Sequence, residues 1–199
     1  MARVIVFARA PQLGRVKRRL AHDIGASAAL RFHGATLCEV TRRLAADRRW
    51  RVTLAVTPDR FARRGRWWPR NVERIPQGSG DLGSRMTRAL RRFRGTPTVL
   101  IGSDIPDATC THIADALCAV RSGALVFGPA TDGGYWLIGA RNIDQYYRLL
   151  RGVRWSSAHA LGDTMANVAC SKQIKYAAQL SDVDDAFAFR QAQRERLLR

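Results

Sequence analysis

Thr98-Val-Leu-Ile-Gly-Ser-Asp-Ile-Pro106 is an apolar run that breaks, at Gly102, into a short loop carrying a carboxylate. A run this short, closed by glycine and proline, reads as a buried strand, and the stretch from the loop to about Val120 reads as a helix. The same arrangement occurs twice more. Val4-Ile-Val-Phe-Ala8 leads into Arg9-Ala-Pro-Gln-Leu-Gly-Arg-Val-Lys-Arg-Arg-Leu20, and Ala124-Leu-Val-Phe127 into Gly128-Pro-Ala-Thr-Asp-Gly-Gly-Tyr135. Strands alternating with helical patterns predict an α/β fold, a mostly parallel sheet with helices on both faces. In such a sheet the ligand crevice lies beyond the carboxyl ends of the strands, where all three loops fall.

The remaining elements fit around these three. A first helix is expected through about Leu20, and Ala26 to Ala46 carries helical spacing at Leu30, Leu37, Val40 and Leu44. Val52–Val56 reads as a strand, Val72–Ile75 as a short one, and Gly83 to Phe93 as a helix. Tyr135–Gly139 reads as a strand that follows Ala124–Phe127 after a short turn. Beyond it, helices are expected near Ile143–Leu150 and Ser157–Ala169, then a strand near Gln173–Ala177 and a last helix from Val183. Phe61–Arg70, basic and holding Trp67-Trp68, fits no pattern. At 199 residues and 46% hydrophobic the chain can bury one core, and residues 1–199 are expected to form a single domain without repeats or linkers.

No apolar run approaches the ~20 residues that span a bilayer. Arg9 cuts off the first apolar run before it reaches the ~7–15 residues of a secretory core, so a soluble cytoplasmic protein is expected. Cys38, Cys110, Cys118 and Cys170 form no C-x-x-C pair, which argues against zinc and against a disulfide scaffold. Cys38 and Cys118 sit among apolar residues and are expected to be buried, reduced thiols. The net charge of +18 invites a nucleic-acid reading. Yet Lys17, Lys172 and Lys175 are the only lysines among 34 basic residues, and the arginines are dispersed instead of forming one tail or an aromatic-interleaved platform. A solvated basic surface that attracts small anionic substrates is the better reading.

Each loop offers chemistry. In the first, Pro11 and Gly14 shape a turn, and Arg15, Lys17 and Arg19 follow at alternate positions onto a helix start. Basic side chains with backbone N–H groups at a helix start favour phosphate, although no Walker G-x-x-x-x-G-K-[ST] is present. Asp104, at the end of its strand, suits a hard cation such as Mg2+ or Mn2+, or else caps a turn. Asp132-Gly-Gly-Tyr135 reads as a hairpin turn whose glycines also let backbone approach a ligand. Near the end, Asp182 and Asp184 are expected either to cap a helix or to add a metal ligand. The histidines are isolated in sequence. Gly78-Ser-Gly-Asp-Leu-Gly83 matches G-x-G-x-x-G, with Asp104 at about the distance of a ribose-binding acid, so a nicotinamide-dinucleotide enzyme is a rival. That rival leaves the first and third loops unexplained.

Phe7-Ala-Arg-Ala-Pro-x-x-Gly-Arg-Val-Lys-x-Arg-Leu20, Gln77-Gly-x-Gly-Asp-Leu-Gly-x-Arg-Met86, Gly102-Ser-Asp-x-Pro-Asp107 and Gly128-Pro-Ala-x-Asp-Gly-Gly-Tyr-x-Leu-Ile-Gly139 occur in that order, closed by Trp155-Ser and Asp182-Val-Asp184. The set closely resembles a bacterial family of glycosyltransferase-A-fold nucleotide-diphospho-sugar transferases, some of them linked to arsenosugar biosynthesis. More distantly it is similar to 2-phospholactate guanylyltransferase and molybdenum-cofactor guanylyltransferase. The resemblance spans nearly the whole chain and implies a Rossmann-like glycosyltransferase-A fold. It also implies nucleotide binding by Ala8, Arg9, Gly14, Arg15, Lys17 and Arg19, with Gly80, Asp81, Leu82 and Ser103 around the nucleoside. Metal binding falls to Asp104, with Asp184 as a second ligand, and Asp132, Gly133, Gly134 and Tyr135 face the sugar or acceptor. Arg18 stands where such sequences often have threonine, and Ile105 where cysteine is frequent. Neither change removes a charged group, so they bear on fine specificity.

The expected protein is a metal-dependent glycosyltransferase using a nucleotide-activated sugar, with Asp104 and Asp132 as catalytic residues and Mg2+ or Mn2+ as cofactor. The alternative is a nucleotidyltransferase joining a nucleoside triphosphate to a phosphorylated small molecule. A monomer or homodimer is expected, without a nucleic-acid partner.

Overall fold

Side chains of Ala2–Arg9 (β1) alternate between two apolar layers: Val4, Val6 and Ala8 point to one, Ile5 and Phe7 to the other. A strand covered on both faces belongs at the centre of a parallel sheet. In the computed structural model, which describes residues 1–65, 67–146, 148–168, 173–186 and 188–190, β1 is such an interior strand, next to the middle of the sheet.

β1 pairs in parallel with Trp50–Thr57 (β2) on one side and Thr98–Gly102 (β4) on the other. The sheet continues through Glu73–Pro76 (β3) at one edge. Beyond β4 come Tyr135–Ala140 (β6), Leu125–Pro129 (β5) and Ile174–Tyr176 (β7), in the order β3-β2-β1-β4-β6-β5-β7. β6 alone runs antiparallel among the described strands, because only a tight turn joins it to β5.

Helices cover both faces. Ala26–Ala45 (α2) and Cys110–Arg121 (α4) bury Leu37, Val40, Leu44, Ile113, Leu117 and Val120 in one layer. Leu82–Arg91 (α3) buries Met86, Ala89 and Leu90 in the other, with Ile143, Leu149 and Leu150. Arg18–Ile24 (α1) is a short helix that packs on α2. No helix among the described residues is long and apolar enough to cross a membrane.

Several expectations change. Ile143–Leu150 is no helix: a 3-10 turn, Ile143–Gln145, ends at Tyr146, and Arg148 has a left-handed backbone (φ 66) that a helix cannot contain. Its apolar residues are buried nonetheless. The helix expected over Ser157–Ala169 is the shorter Ala160–Ala166 (α5), since the Ser157 hydroxyl accepts from His159 N and holds a turn before it. Ala169 and Cys170 lie outside the described residues, as do Phe187 and residues 191–199. Helix begins only at Ala186: the Asp185 carboxylate accepts from Ala188 N, so Asp185 is the cap and Asp182 and Asp184 are not. In the unpatterned stretch, Asp59–Ala62 is a 3-10 turn and Trp68 is buried. Cys118 is exposed, because α4 turns Ile113, Ala116, Leu117 and Val120 inward, and Cys38 is half-buried.

Candidate active site

A cleft of about 710 Å³ opens at the carboxyl ends of β1 and β4. One lip runs from the end of β1 through the loop to the first turn of α1 and carries Arg9, Arg15, Lys17, Arg18 and Arg19. The other carries Ser103, Asp104, Asp132, Gly134, Tyr135, Asp182 and Asp184, and Leu82, Met86 and Trp155 form an apolar wall. Three loops far apart in sequence therefore meet, as parallel topology requires.

The carboxylates reach the cleft by distinct routes. Asp104 follows β4 directly. Asp132 tops the β5–β6 turn, where Ala130 N donates to Gly134 O at 3.0 Å and the Asp132 carboxylate accepts from Gly134 N at 2.9 Å. Gly133 (φ 84) is obligatory there, since a Cβ would lie 2.3 Å from the Ala158 carbonyl oxygen. Asp182 and Asp184 come from beyond β7. Leu180 extends the sheet beside Ala130, Leu180 N donates to Pro129 O at 3.1 Å, and the Thr131 and Ser181 hydroxyls lie 2.9 Å apart.

Asp104, Asp182 and Asp184 converge, each offering one oxygen, with these atoms within 4.8 Å of one another. Lys17 enters this cluster. Its ammonium donates to Asp104 Oδ2 at 2.8 Å and to Asp184 Oδ1 at 2.6 Å, and its side chain is only 5% exposed. Its backbone is left-handed (φ 45, ψ 53), unusual for a long side chain. Burial acts against the Lys17 charge, but the two carboxylates outweigh it and hold its pKa above that of a free lysine. Burial also pushes the Asp104 carboxyl up, and Lys17 outweighs that too, leaving it below the usual carboxylate range. For Asp182 the nearby Lys17 charge does not prevail: burial, then Asp184 and Asp104, push its pKa up to about 6. Three carboxylates share this space, one with its proton affinity raised by burial and by the other two, a set of oxygens that could hold a hard divalent cation.

His33, on α2, lines the cleft floor beside Lys17. It donates from Nε2 to the Arg9 carbonyl oxygen at 2.9 Å, which fixes the tautomer because a carbonyl only accepts. Burial lowers its pKa, favouring the neutral ring. Burial also pushes the Tyr135 hydroxyl well above its ordinary value.

Of the residues singled out in the sequence, Arg9, Arg15, Lys17, Arg19, Leu82, Ser103, Asp104, Asp132, Gly134, Tyr135 and Asp184 line the cleft. Ala8, Gly14, Gly80, Asp81 and Gly133 are not among the lining residues. Ala8 is buried in β1, and Asp81 caps α3 by accepting from Ser84 N at 2.8 Å. The helix start expected to hold phosphate belongs to the seven-residue α1, so charge in this loop rests on side chains. The glycine-rich rival loses its basis. Arg88 donates to Gln77 O and Ser79 O and fills the space beside Gly78, where a Cβ would meet its guanidinium at 2.5 Å. Moreover, β2 and β1 stand between β3, which precedes the glycines, and β4, which carries Asp104. His33 and Ser157 line the cleft with no motif to mark them, beside Val16 and Ser156 from the quoted motifs.

The sheet order and the cleft at its switch point define a nucleotide-diphospho-sugar transferase fold. The chain belongs to the bacterial family described as "Uncharacterized protein conserved in bacteria (DUF2064)", which matches residues 40–157 and so includes Asp104 and Asp132. Among solved structures, it is similar to a provisionally named nucleotide-diphospho-sugar transferase of Desulfovibrio desulfuricans G20. The two are 26% identical over 98% of this chain and 88% of that one, with a TM-score of 0.85. At the level of the fold it is similar to CMP:2-keto-3-deoxy-manno-octonic acid synthetase complexed with CTP (11% identity, 100% and 99% of the chains, TM-score 0.63). It also shares its fold with Rv0371c of Mycobacterium tuberculosis H37Rv, solved with manganese (18% identity, 96% and 97%, TM-score 0.55). No curated protein matches the sequence significantly.

Proposed function

We propose that the protein is a divalent-cation-dependent, nucleotide-using transferase, and that its donor is a nucleotide-activated sugar. The observation that carries this reading is the pairing, in one cleft, of an arginine-lined lip with the Asp104–Asp182–Asp184 cluster. Arginine forks suit diphosphate oxygens, and carboxylates suit Mg2+ or Mn2+. The likeness to the Desulfovibrio protein, and to a neighbour solved with manganese, supports it.

In this reading Arg9, Arg15 and Arg19 hold the donor's diphosphate, with Lys17 a further cation of the lip. Asp104, Asp182 and Asp184 would hold the cation, which when bound supplies positive charge against the leaving diphosphate. Ser103, Leu82 and Met86 border the nucleoside. Asp132 already accepts one backbone hydrogen bond, so its other lone pairs remain to orient an acceptor hydroxyl or take its proton. Tyr135 and Trp155 wall the sugar or acceptor side.

Thermal-shift screening of nucleoside diphosphates, nucleoside triphosphates and nucleotide sugars, each with and without Mn2+, tests this. Stabilisation by a nucleotide sugar that needs Mn2+ and is lost in Asp104→Ala is the expected result; undiminished binding by the variant sinks the assignment. The CTP-bound neighbour favours one second reading, a nucleotidyltransferase. In that case triphosphates alone stabilise the protein, and pyrophosphate is released on turnover.

A further inference from the structure

Lys17 stands among the arginines of the basic lip, yet its ammonium sits between two carboxylates of the cluster. We infer that Lys17 and a divalent cation compete for Asp104 and Asp184, so that cation binding releases the ammonium to the substrate phosphates. The inference rests on the reading of the cluster as a cation site and adds how that site is regulated.

Three observations support competition over coexistence. The ammonium engages an oxygen from both carboxylates at once, at 2.8 and 2.6 Å, which is the position a bridging cation would take. The Lys17 side chain is almost wholly enclosed while both carboxylates face the cleft, so a cation enters from the open side and the ammonium occupies the inner side of the pair. The backbone that aims it there is left-handed, whereas the stem beyond is a flexible four-carbon chain that can swing without moving that backbone. Arg9, Arg15 and Arg19 line the same cleft, so an ammonium leaving the carboxylates stays beside the anion those arginines would hold. Competition makes the two ligands cooperative: a cation frees a phosphate donor, phosphate draws the ammonium off the carboxylates, and the coupling is equal in both directions. The opposite arrangement, a cation on the remaining carboxylate oxygens with Lys17 left in place as a support, predicts the reverse.

The test is Mn2+ binding by calorimetry to the protein and to Lys17→Met and Arg18→Met, with and without inorganic pyrophosphate. Lys17→Met is expected to bind Mn2+ alone about tenfold more tightly, and to lose the tightening that pyrophosphate gives the wild type. Arg18→Met removes a charge from the same cleft and should change Mn2+ affinity far less. Unchanged or weaker Mn2+ binding by Lys17→Met, or equal tightening by Arg18→Met, overturns the inference. Failure of every protein to bind Mn2+ overturns instead the cation reading beneath it. A second measurement needs no substitution. With three lysines in the chain, 15N-lysine NMR should resolve the enclosed Lys17 ammonium, and titration with Mg2+ should remove its protected signal. A signal unmoved at saturating Mg2+ rejects displacement.

Discussion

Lys17 and Asp182 meet in one acidic cluster with opposite effects on stability. An acid whose folded pKa is raised to about 6, above its unfolded value near 4, binds protons more readily folded than unfolded. It therefore costs stability above pH 6, and the cost fades as pH falls toward 4. Asp182→Asn should stabilise the cation-free protein at pH 8 by about 1–2 kcal/mol, a figure reduced because the side chain is partly exposed. Urea unfolding at pH 8 and pH 4.5 checks the sign: a gain that persists undiminished at pH 4.5 contradicts it. The same substitution should abolish the Mn2+-dependent rise in Tm. Asp104 was legible in the sequence because it ends an unmistakable strand. His33 was not, since its role depends on a carbonyl 24 residues away. Nor could the sequence tell that Arg88 would occupy the glycine loop, because a nucleotide and a guanidinium demand the same absence of Cβ.

Among the elements, α3 supplies Leu82 and Met86 to the apolar wall of the cleft. Gly83 lets its first turn approach the segment that carries Trp155; a methyl there would lie 2.2 Å from the Leu150 carbonyl oxygen and 2.8 Å from the Trp155 ring. Helix propensity favours Gly83→Ala by at most about 1 kcal/mol. Overpacking against backbone costs about 1–3 kcal/mol, so the clash prevails. The variant should unfold at lower urea and bind nucleotide more weakly through a displaced Trp155. Equal or greater urea resistance counts against this packing. The central strands were readable as apolar runs between turn residues. The segment around Ile143–Leu150 was not, because its buried leucines satisfy helical spacing while Arg148 takes a backbone no periodicity signals.

At the level of the whole molecule, the charge of +18 makes the protein a long-range attractor for phosphate esters. Stopped-flow association of a nucleotide should slow as ionic strength rises from 0.01 to 0.15 M, roughly the span over which the Debye length falls from ~30 to ~8 Å, while dissociation changes little. A salt effect confined to dissociation would assign the charge to local contacts instead. Parallel topology was predictable from alternating patterns. The order that sends the chain across β6 and β5 to β7, and back to the cleft through Asp182, was not, since it depends on pairings between distant segments.

That return has a consequence in time. The Lys17–Asp184 bond joins residues 167 positions apart. A ribosome delivers β1 and the basic lip early, β4 and Asp104 midway, and Asp184 only after β7. A chain that stops before Asp182 therefore carries the basic lip and Asp104 but neither of the other two carboxylates of the cluster. Under the proposed function, turnover would await these last carboxylates, because the Asp104–Asp182–Asp184 cluster is complete only once Asp184 has joined it.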